Sequence, residues 1–532
     1  MGSLRGEMTS LFALHCGHHN SNGTYIKDGQ IVFYTESERI SKQKYDCDPR
    51  PIISHLANYT QHVEEVLVTH CKDENIILQY MAQAGVTCDR IAKKNSIHHM
   101  CHAASGFFSS EFKKATVLVC DGRGSTFTTS DGAKLYETTS AYELCEGKQT
   151  RTLFKRFTED KKAGTYHRTP NKDVSYEFEV HAEIDTGGMY QAVAKNQGFS
   201  PLECGKTMGL AAYGKPNHDL PSFLEADGLV NANVFLNDNS LNVDRYPILA
   251  APLNSPIQAD ISYAVQKAAE TMAVDKIRKV QSLGKTKNLV LSGGVFQNVL
   301  VNSKIRSEFP HLNVHVDPFP TDGGLSLGAA LWRMAENGHI IRTESTYLGK
   351  NYEIGNLPAS QCKQVANLLA QGKIGALYQG RSESGCRALG NRSLLFNPTL
   401  KDGKELINKI KKREWFRPFA ATVIEEYASD WFSGGPSPFM TYAIECKKPK
   451  WIPSVIHEDN TCRVQTLQKN LNPIFWEIIE QFRENTGIPV IGNTSFNVNG
   501  QPIVETREDA LEAFMSMELD FIYLADEDIL LT

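Results

Sequence analysis

The sequence carries two histidines at helical spacing. In SIHHMCHAAS, His98 and His102 are four residues apart, so a helix would set both imidazoles on one face, where they can hold a single metal ion. Two aspartates, Asp121 in VCDGRGS and Asp322 in FPTDGG, sit where apolar runs end at glycine turns. A set of two histidines and two aspartates with water suits Fe(II), Mn(II) or Zn(II), and ligand type alone does not choose among them. The competing reading of a lone HxxxH is a pair of core or surface histidines without a ligand. His19, in CGHHNSNG, falls on the first glycine turn, where a neutral imidazole can accept a proton from an incoming hydroxyl. His18 beside it is an equal candidate, and a turn histidine that only caps backbone is the bland alternative.

Further groups suit anions. In ESERISKQKYD, Lys42 and Lys44 fall on one side of an extended segment, with Lys44 able to polarise a carbonyl or phosphate oxygen. SGGVFQN offers the backbone N–H groups of Gly293 and Gly294 to an anion, with a helix start behind them, and Asn298 to a ribose or purine edge. The second half is rich in guanidinium: Arg381, Arg387 and Arg392 in GRSESGCRALGNRS, Arg413 and Arg417 in REWFRPF, and Arg463 beside His457 in HEDNTCRVQT. Such planar forks capture phosphate and carboxylate-like oxygens in pairs, although each arginine taken singly is most often a surface ion pair. Asn493, Ser495 and Asn497 in NTSFN add neutral hydrogen-bonding partners at a strand end.

These groups need a scaffold of two domains, since 532 residues exceed one usual core. LFALHCG, ATVLVCDGRGS and KNLVLSGGVFQN each read as a buried strand ending in a glycine turn, which makes the first domain, residues 9–345, an α/β unit able to bind a nucleotide. Residues 346–360 lack helical periodicity and read as a linker; residues 361–532 alternate helix and strand signals, a mixed α/β domain. No internal repeat is evident in the residues. The basic, aromatic-bearing stretch over 148–172 is read either as a solvated hairpin or as a site for an anionic acceptor. The net charge of -5 excludes a chain that coats nucleic acid through bulk charge. Twelve cysteines without a CxxC pair suit a reducing cytoplasm, and no apolar run is long enough to span a bilayer. The opening lacks a signal-peptide core, and Met1–Glu7 reads as an appended leader before a start at Met8.

The segments ESERISKQKYD, HHMCHAASGFFSS, ECGKTMGLAAYGKP, LSGGVFQNVLVN, TDGGLSLGAA, GRSESGCRALGNRSLL, REWFRPFA and NTSFNVNGQPIVET resemble, in order, those of the O-carbamoyltransferases of antibiotic and nodulation-factor biosynthesis. The resemblance implies a Kae1-like N-terminal domain of the actin and Hsp70 ATPase class and a YrdC-like C-terminal domain. It implies that the C-terminal domain makes carbamoyl-adenylate from carbamoyl phosphate and ATP with Mg(II), and that the N-terminal domain passes the carbamoyl group to a hydroxyl. Carried over by motif, His98, His102, Asp121 and Asp322 would hold the divalent metal, Fe(II) before Mn(II) or Zn(II). His19 would be the base, and Lys44 would contact the carbamoyl group. Lys206 in GKTMGLA, with Gly293, Gly294 and Asn298, would hold the adenylate; Arg387, Arg417, Arg463 and Asn497 would serve the other site. Two positions depart from the family pattern: Cys386 replaces a usual proline and Tyr45 a frequent histidine. Cys386 is expected to be a small buried filler that alters loop stiffness more than charge. The expected acceptor is a natural product, a sugar or a hydroxymethylpyrimidine nucleotide; no membrane partner is expected, and a homodimer is left open. Threonylcarbamoyl transfer to tRNA and a non-catalytic nucleotide-binding regulator are the competing functions.

Overall fold

The computed structural model describes residues 8–129, 132–159, 176–181, 184–236, 240–350 and 360–532. The leader 1–7, residues 160–172 of the basic stretch and residues 351–359 of the expected linker lie outside the described residues.

The first sheet is built from β1 (Ser10–His15), β2 (Asn22–Lys27), β3 (Gln30–Glu36), β4 (His62–Thr69) and β5 (Thr87–Lys93), in the order β3-β2-β1-β4-β5. β1 pairs antiparallel with β2 and parallel with β4, and is buried along its whole length because both faces of the sheet are covered. The second sheet follows the same plan. It contains β6 (Lys114–Cys120), β7 (Thr126–Thr128), β8 (Lys134–Cys145), β9 (Arg151–Glu159), β10 (Glu177–His181), β11 (Asn288–Ser292) and β12 (Asn313–Val316). Its order is β10-β9-β8-β6-β11-β12, with β6 antiparallel to β8 and parallel to β11. Strands β9-β8-β6-β11-β12 thus reproduce β3-β2-β1-β4-β5, and the N-terminal domain is a structural duplication. This corrects the reading of no internal repeat: the repetition lies in backbone order and direction, which dissimilar side chains sustain equally well.

The second domain is one mixed sheet of β13 (Gly375–Tyr378), β14 (Arg392–Phe396), β15 (Ala420–Ile424), β16 (Ala443–Glu445), β17 (Thr461–Leu467), β18 (Val490–Ser495), β19 (Phe521–Leu524) and β20 (Ile529–Leu531). Their order is β16-β17-β15-β18-β14-β13-β19-β20, and the amphipathic helices Cys362–Ala370 and Pro473–Thr486 pack against each other on it. Buried apolar residues of both domains form one continuous cluster. Asn302 Nδ2 donates to Thr441 O at 2.9 Å and Ser303 Oγ to Ala443 O at 2.7 Å, tying the helix Val299–Glu308 to the second domain.

Three local readings are corrected. ESERIS is not extended: Ser37–Ser41 is a helical turn closed by Lys42 in the left-handed region, at φ 62°. Arg151–Glu159 of the basic stretch is not a solvated hairpin but β9, inside the second sheet. The linker does not begin as free chain: Tyr34 N donates to Leu348 O, and the Arg381 guanidinium to Leu348 O and Gly349 O, each at 2.8 Å. Among the described residues no helix is long and apolar enough to cross a membrane.

Candidate active site and metal cluster at the domain boundary

The helix His98–Phe108 is buried because it is wedged between the sheet and the helix Leu325–Glu336. The two helices touch at backbone distance: a Cβ on Gly328 would stand 1.8 Å from Cys101 O, so this position requires glycine. Asp121 leaves the end of β6, and Asp322 opens the short turn Asp322–Gly324 that starts the second helix. That turn is held from the first sheet, where Asn22 Nδ2 donates to Asp322 O at 2.9 Å and Tyr34 Oη to Gly323 O at 2.5 Å.

The fold thereby gathers all four side chains named from the sequence. One donor atom from each of His98, His102, Asp121 and Asp322 lies within 4.8 Å of the others. His98 Nε2 is 3.2 Å from Asp121 Oδ2 and 3.5 Å from Asp322 Oδ1; His102 Nε2 is 4.0 and 3.6 Å from the same two oxygens. Donors bound about 2.1 Å from one ion stand roughly 3–3.5 Å apart, so the set is close to a coordination shell in size. Both ring nitrogens of His102 are buried without a hydrogen-bond partner, which fits a lone pair reserved for a cation. Burial alone would raise Asp322, yet the imidazoles of His98 and His102 hold it well below the usual carboxylate range.

His19 stands beside this cluster, its Nε2 3.7 Å from Asp322 Oδ2. Its Nδ1 faces Asn20 Oδ1 at 2.9 Å, so Nδ1 carries the proton and Nε2 keeps its lone pair toward the cavity. Asn20 is fixed in turn by donating Nδ2 to Glu36 Oε2 at 3.2 Å. Glu36 was not singled out from the sequence. It is buried on the cavity wall, and burial together with the nearby Glu38 carboxylate pushes it up to about 7.

Two adjoining cavities of about 440 and 260 Å³ open here, and both domains line both of them. The larger runs from Asp121, Gly294, Asn298 and Asp322 of the first domain to Arg387, Arg417 and Arg463 of the second. The smaller holds Lys44, Lys411, Arg413 and Asn497, and His19, Asp322 and Arg417 belong to the wall between them. The second-domain side is a crowd of cations. Arg463 Nε has no partner, and burial and the neighbouring Arg387 both oppose its charge. Lys411, missed in the sequence, is buried; burial first, then Arg413 and Arg417, push its ammonium well below its ordinary value. It donates to Ser495 O and to Asn497 O and Oδ1 at 2.9 and 3.0 Å. A bound anion relieves such crowding. The loop carrying Arg387 is ordered by the buried Glu383, whose Oε1 accepts from the N–H groups of Leu389, Asn391 and Arg392. Arg387 Nη2 reaches across the boundary to Gln297 O at 3.1 Å.

Several sequence readings do not survive this geometry. Lys206 is not on the cavity wall: it bridges Glu203 at 2.9 Å and Glu414 of the second domain at 2.8 Å. Asn298 lines the larger cavity, but its Oδ1 caps the helix behind it by accepting from Leu300 and Val301 N–H, and its Nδ2 donates to Gln266. Gly294 N–H already donates to Asp121 Oδ1 at 3.2 Å; Gly293, at φ 94°, serves to let the chain pass Cys120, whose carbonyl a Cβ would meet at 2.3 Å. Asn497 acts through Lys411. Arg381 and Arg392 are structural, spent on backbone carbonyls. Cys386 is no buried filler; it is exposed on the wall shared by the two cavities. In the basic stretch, Lys155 is paired with buried Glu137 at 2.5 Å and Arg156 with Glu179 at 3.0 Å, so neither is free for an acceptor. Lys161 and Lys162 lie outside the described residues.

Residues 49–331 match the family described as Carbamoyltransferase N-terminus, and residues 366–530 that described as Carbamoyltransferase C-terminus. The chain belongs to the carbamoyltransferase family. This carbamoyltransferase is 30% identical to the nodulation protein NolNO of Sinorhizobium fredii, over 94% of its own length and 77% of the relative's. An uncharacterized protein of Methanocaldococcus jannaschii is also 30% identical, with 96% and 98% of the two chains covered. Nodulation protein U of Sinorhizobium fredii is 34% identical over 53% of each. The match of both family halves makes the chain an enzyme that transfers a carbamoyl group.

Proposed function

We propose that this carbamoyltransferase is ATP-dependent and acts on a hydroxyl. In this reading carbamoyl phosphate, water and ATP yield carbamoyl-adenylate, inorganic phosphate and pyrophosphate at the cationic wall of Arg387, Arg417, Arg463 and Lys411. The carbamoyl group is then consumed at the histidine and aspartate wall. The observation that carries the reading is the continuity of the site: guanidinium groups on one side and the Asp121 and Asp322 carboxylates with the His19 imidazole on the other line the same cavity, about 440 Å³ in volume.

The chemistry asks for such a pair of walls. A carbamoyl carbonyl is deactivated by its nitrogen lone pair, so an alcohol attacks it usefully only when the leaving group is good and the developing oxyanion is met by positive charge. His98, His102, Asp121 and Asp322 fit a divalent ion by donor type and spacing, with Fe(II), Mn(II) and Zn(II) all suited. When bound, that ion supplies Lewis acidity beside the carbonyl. The chain does the rest. His19 Nε2 takes the hydroxyl proton as the alcohol oxygen bonds to the carbamoyl carbon, the bond from that carbon to the adenylate oxygen breaks, and AMP leaves with the electron pair. Asn20 holds the His19 tautomer that permits this. Lys44 lines the adjoining cavity, where burial lowers its ammonium pKa and Glu38 counters in part. An intermediate so prone to hydrolysis favours formation and use in one enclosure.

The acceptor class follows less from the basic stretch than the sequence suggests, because two of its described cations, Lys155 and Arg156, are spent on internal pairs. Incubation with ATP, labelled carbamoyl phosphate and a panel of alcohols tests the reading. AMP formation with label on one alcohol is the expected result; label transfer that proceeds without ATP would overturn it.

A further inference from the structure

His98 turns its second ring nitrogen away from the cluster. Nδ1 lies 3.3 Å from Nε2 of His70, and among the described residues no other group bonds to it. The two rings stand at 83° with centroids 4.9 Å apart, and His70 also meets His15 edge-on at 4.9 Å, the His15 and His98 centroids lying 6.5 Å apart. His15 is itself anchored through Nδ1 to Thr69 Oγ1 at 3.0 Å. His70 directly follows β4 and holds a left-handed backbone, φ 56°, uncommon outside glycine. The strand end therefore delivers its ring to one atom of a candidate metal ligand.

A ligating histidine ordinarily gives its remaining N–H to a carboxylate, a carbonyl or water, and that partner fixes the tautomer and the ring plane. We propose that His70 is the positioning residue for His98, setting which of its ring nitrogens carries the proton and hence the direction in which Nε2 faces Asp121 and Asp322. This rests on the metal reading given above. The choice of an imidazole has a physical consequence. A carboxylate only accepts, whereas a neutral imidazole nitrogen either accepts or donates according to its tautomer. With the Nε2 lone pair of His98 on an ion, Nδ1–H donates to His70 Nε2. Without an ion, Nε2–H donates instead to Asp121 Oδ2, 3.2 Å away, and Nδ1 stays 3.3 Å from His70 Nε2. The same two atoms stay in contact in both states, so the His98 ring need not turn when an ion enters or leaves.

The test is Co(II) titration of the full chain after chelator treatment, followed by the visible absorption of the bound ion. Asparagine is at ease at positive φ and too short to reach His98, so His70→Asn keeps the backbone and removes the partner. His70→Gln restores an amide that can donate or accept. We expect His70→Asn to weaken Co(II) binding by about 10–100-fold and to shift the absorption band, with His70→Gln recovering most of the affinity. An affinity within about twofold of wild type for His70→Asn, with an unchanged band, would overturn the proposal. His70→Phe, which keeps a ring against His15 but has no nitrogen, gives the same two outcomes if the asparagine variant does not fold. Asp322→Asn separates the layers: if it titrates like wild type, the metal reading fails and the proposal falls with it. If only Asp322→Asn loses the ion, the metal reading stands and the role of His70 is refuted.

Discussion

Replacing Lys155 by methionine separates a structural from a ligand-binding role for the basic stretch. Its ammonium lies 2.5 Å from Glu137 Oε1, and the carboxylate is 1% exposed. Burial alone would raise Glu137. The His99 imidazole first, then the Lys155 ammonium and the Ser140 hydroxyl, hold Glu137 at about 2. Against an unfolded value of about 4.3, that is roughly 3 kcal/mol of stability. Because the folded value is the lower one, this stability is present above about pH 4.3 and is lost as the pH falls toward 2. Removing Lys155 strands a buried carboxylate, a change that costs about 3–5 kcal/mol. At an unfolding entropy of about 2.1 cal/mol/K per residue, a first domain of about 340 residues shifts by about 1.4 °C per kcal/mol, so Lys155→Met should lower the melting temperature at pH 7 by about 4–7 °C. The double variant Glu137→Gln/Lys155→Met should recover most of the loss and show a flatter decline in stability between pH 5 and 2. Calorimetry or chemical denaturation of the four proteins gives the coupling. A single variant within about 2 °C of wild type would refute the reasoning. A loss of preference for phosphorylated acceptors at unchanged stability would return Lys155 to the acceptor site.

Three further outcomes follow from the cavity. His102→Ala should reduce label transfer to the alcohol by about 100–1000-fold while ATP–pyrophosphate exchange with carbamoyl phosphate persists; loss of both would merge the two walls into one function. Arg463→Ala should slow adenylate formation about 10–100-fold, the worth of a charge-assisted contact, with Arg463→Lys recovering little because the ammonium lacks the planar fork; full activity in Arg463→Ala would remove this group from the site. Lys206→Met should destabilise the domain boundary by about 1–2 kcal/mol and leave the KM for ATP within threefold; a tenfold rise in KM would reinstate Lys206 as an adenylate contact.

The legible part of this site is the part encoded by local spacing. His98 and His102 were readable as a pair because four residues make one helical turn, and Asp121 and Asp322 because strands that end at glycine turns present their next side chain at the sheet edge. The arginine-rich segments of the second domain were readable as a region, not residue by residue. Arg387 and Arg392 sit five positions apart in the same Gly-rich run, yet one faces the cavity and the other is wholly buried among backbone carbonyls over the Tyr378 ring. Nothing local distinguishes them, since the difference is set by strand β14 and by Glu383 from the preceding loop. Lys206 was misread for a similar reason: its partner Glu414 is supplied by the other domain. Glu36, Lys411 and His70 were passed over because each acts through a neighbour distant in sequence. The duplicated strand order was invisible because topology leaves no trace in unlike side chains.

The domain boundary is itself part of the machinery. If each domain held a complete pocket, the contacts between them would only need to keep the pair together. Instead the cavity has no wall of its own on either side, and the groups that seal it are polar and directional. Lys42 Nζ reaches Asp509 at 2.5 Å, Arg39 donates to Glu383 O at 3.2 Å, and Lys206 spans to Glu414 at 2.8 Å. The exposed one among them, Lys42 with Asp509, contributes little to stability, about 0–1 kcal/mol, so its value lies in register. Arg39 is the telling case: it leaves the helical turn just after Glu36 and binds the carbonyl of the residue whose side chain orders the Arg387 loop. A shift of the domains would therefore move the base, its Asn20–Glu36 support and the guanidinium wall together. On the proposed reaction this matters more than affinity, because the acyl nucleotide formed at one wall must reach the alcohol at the other before water does.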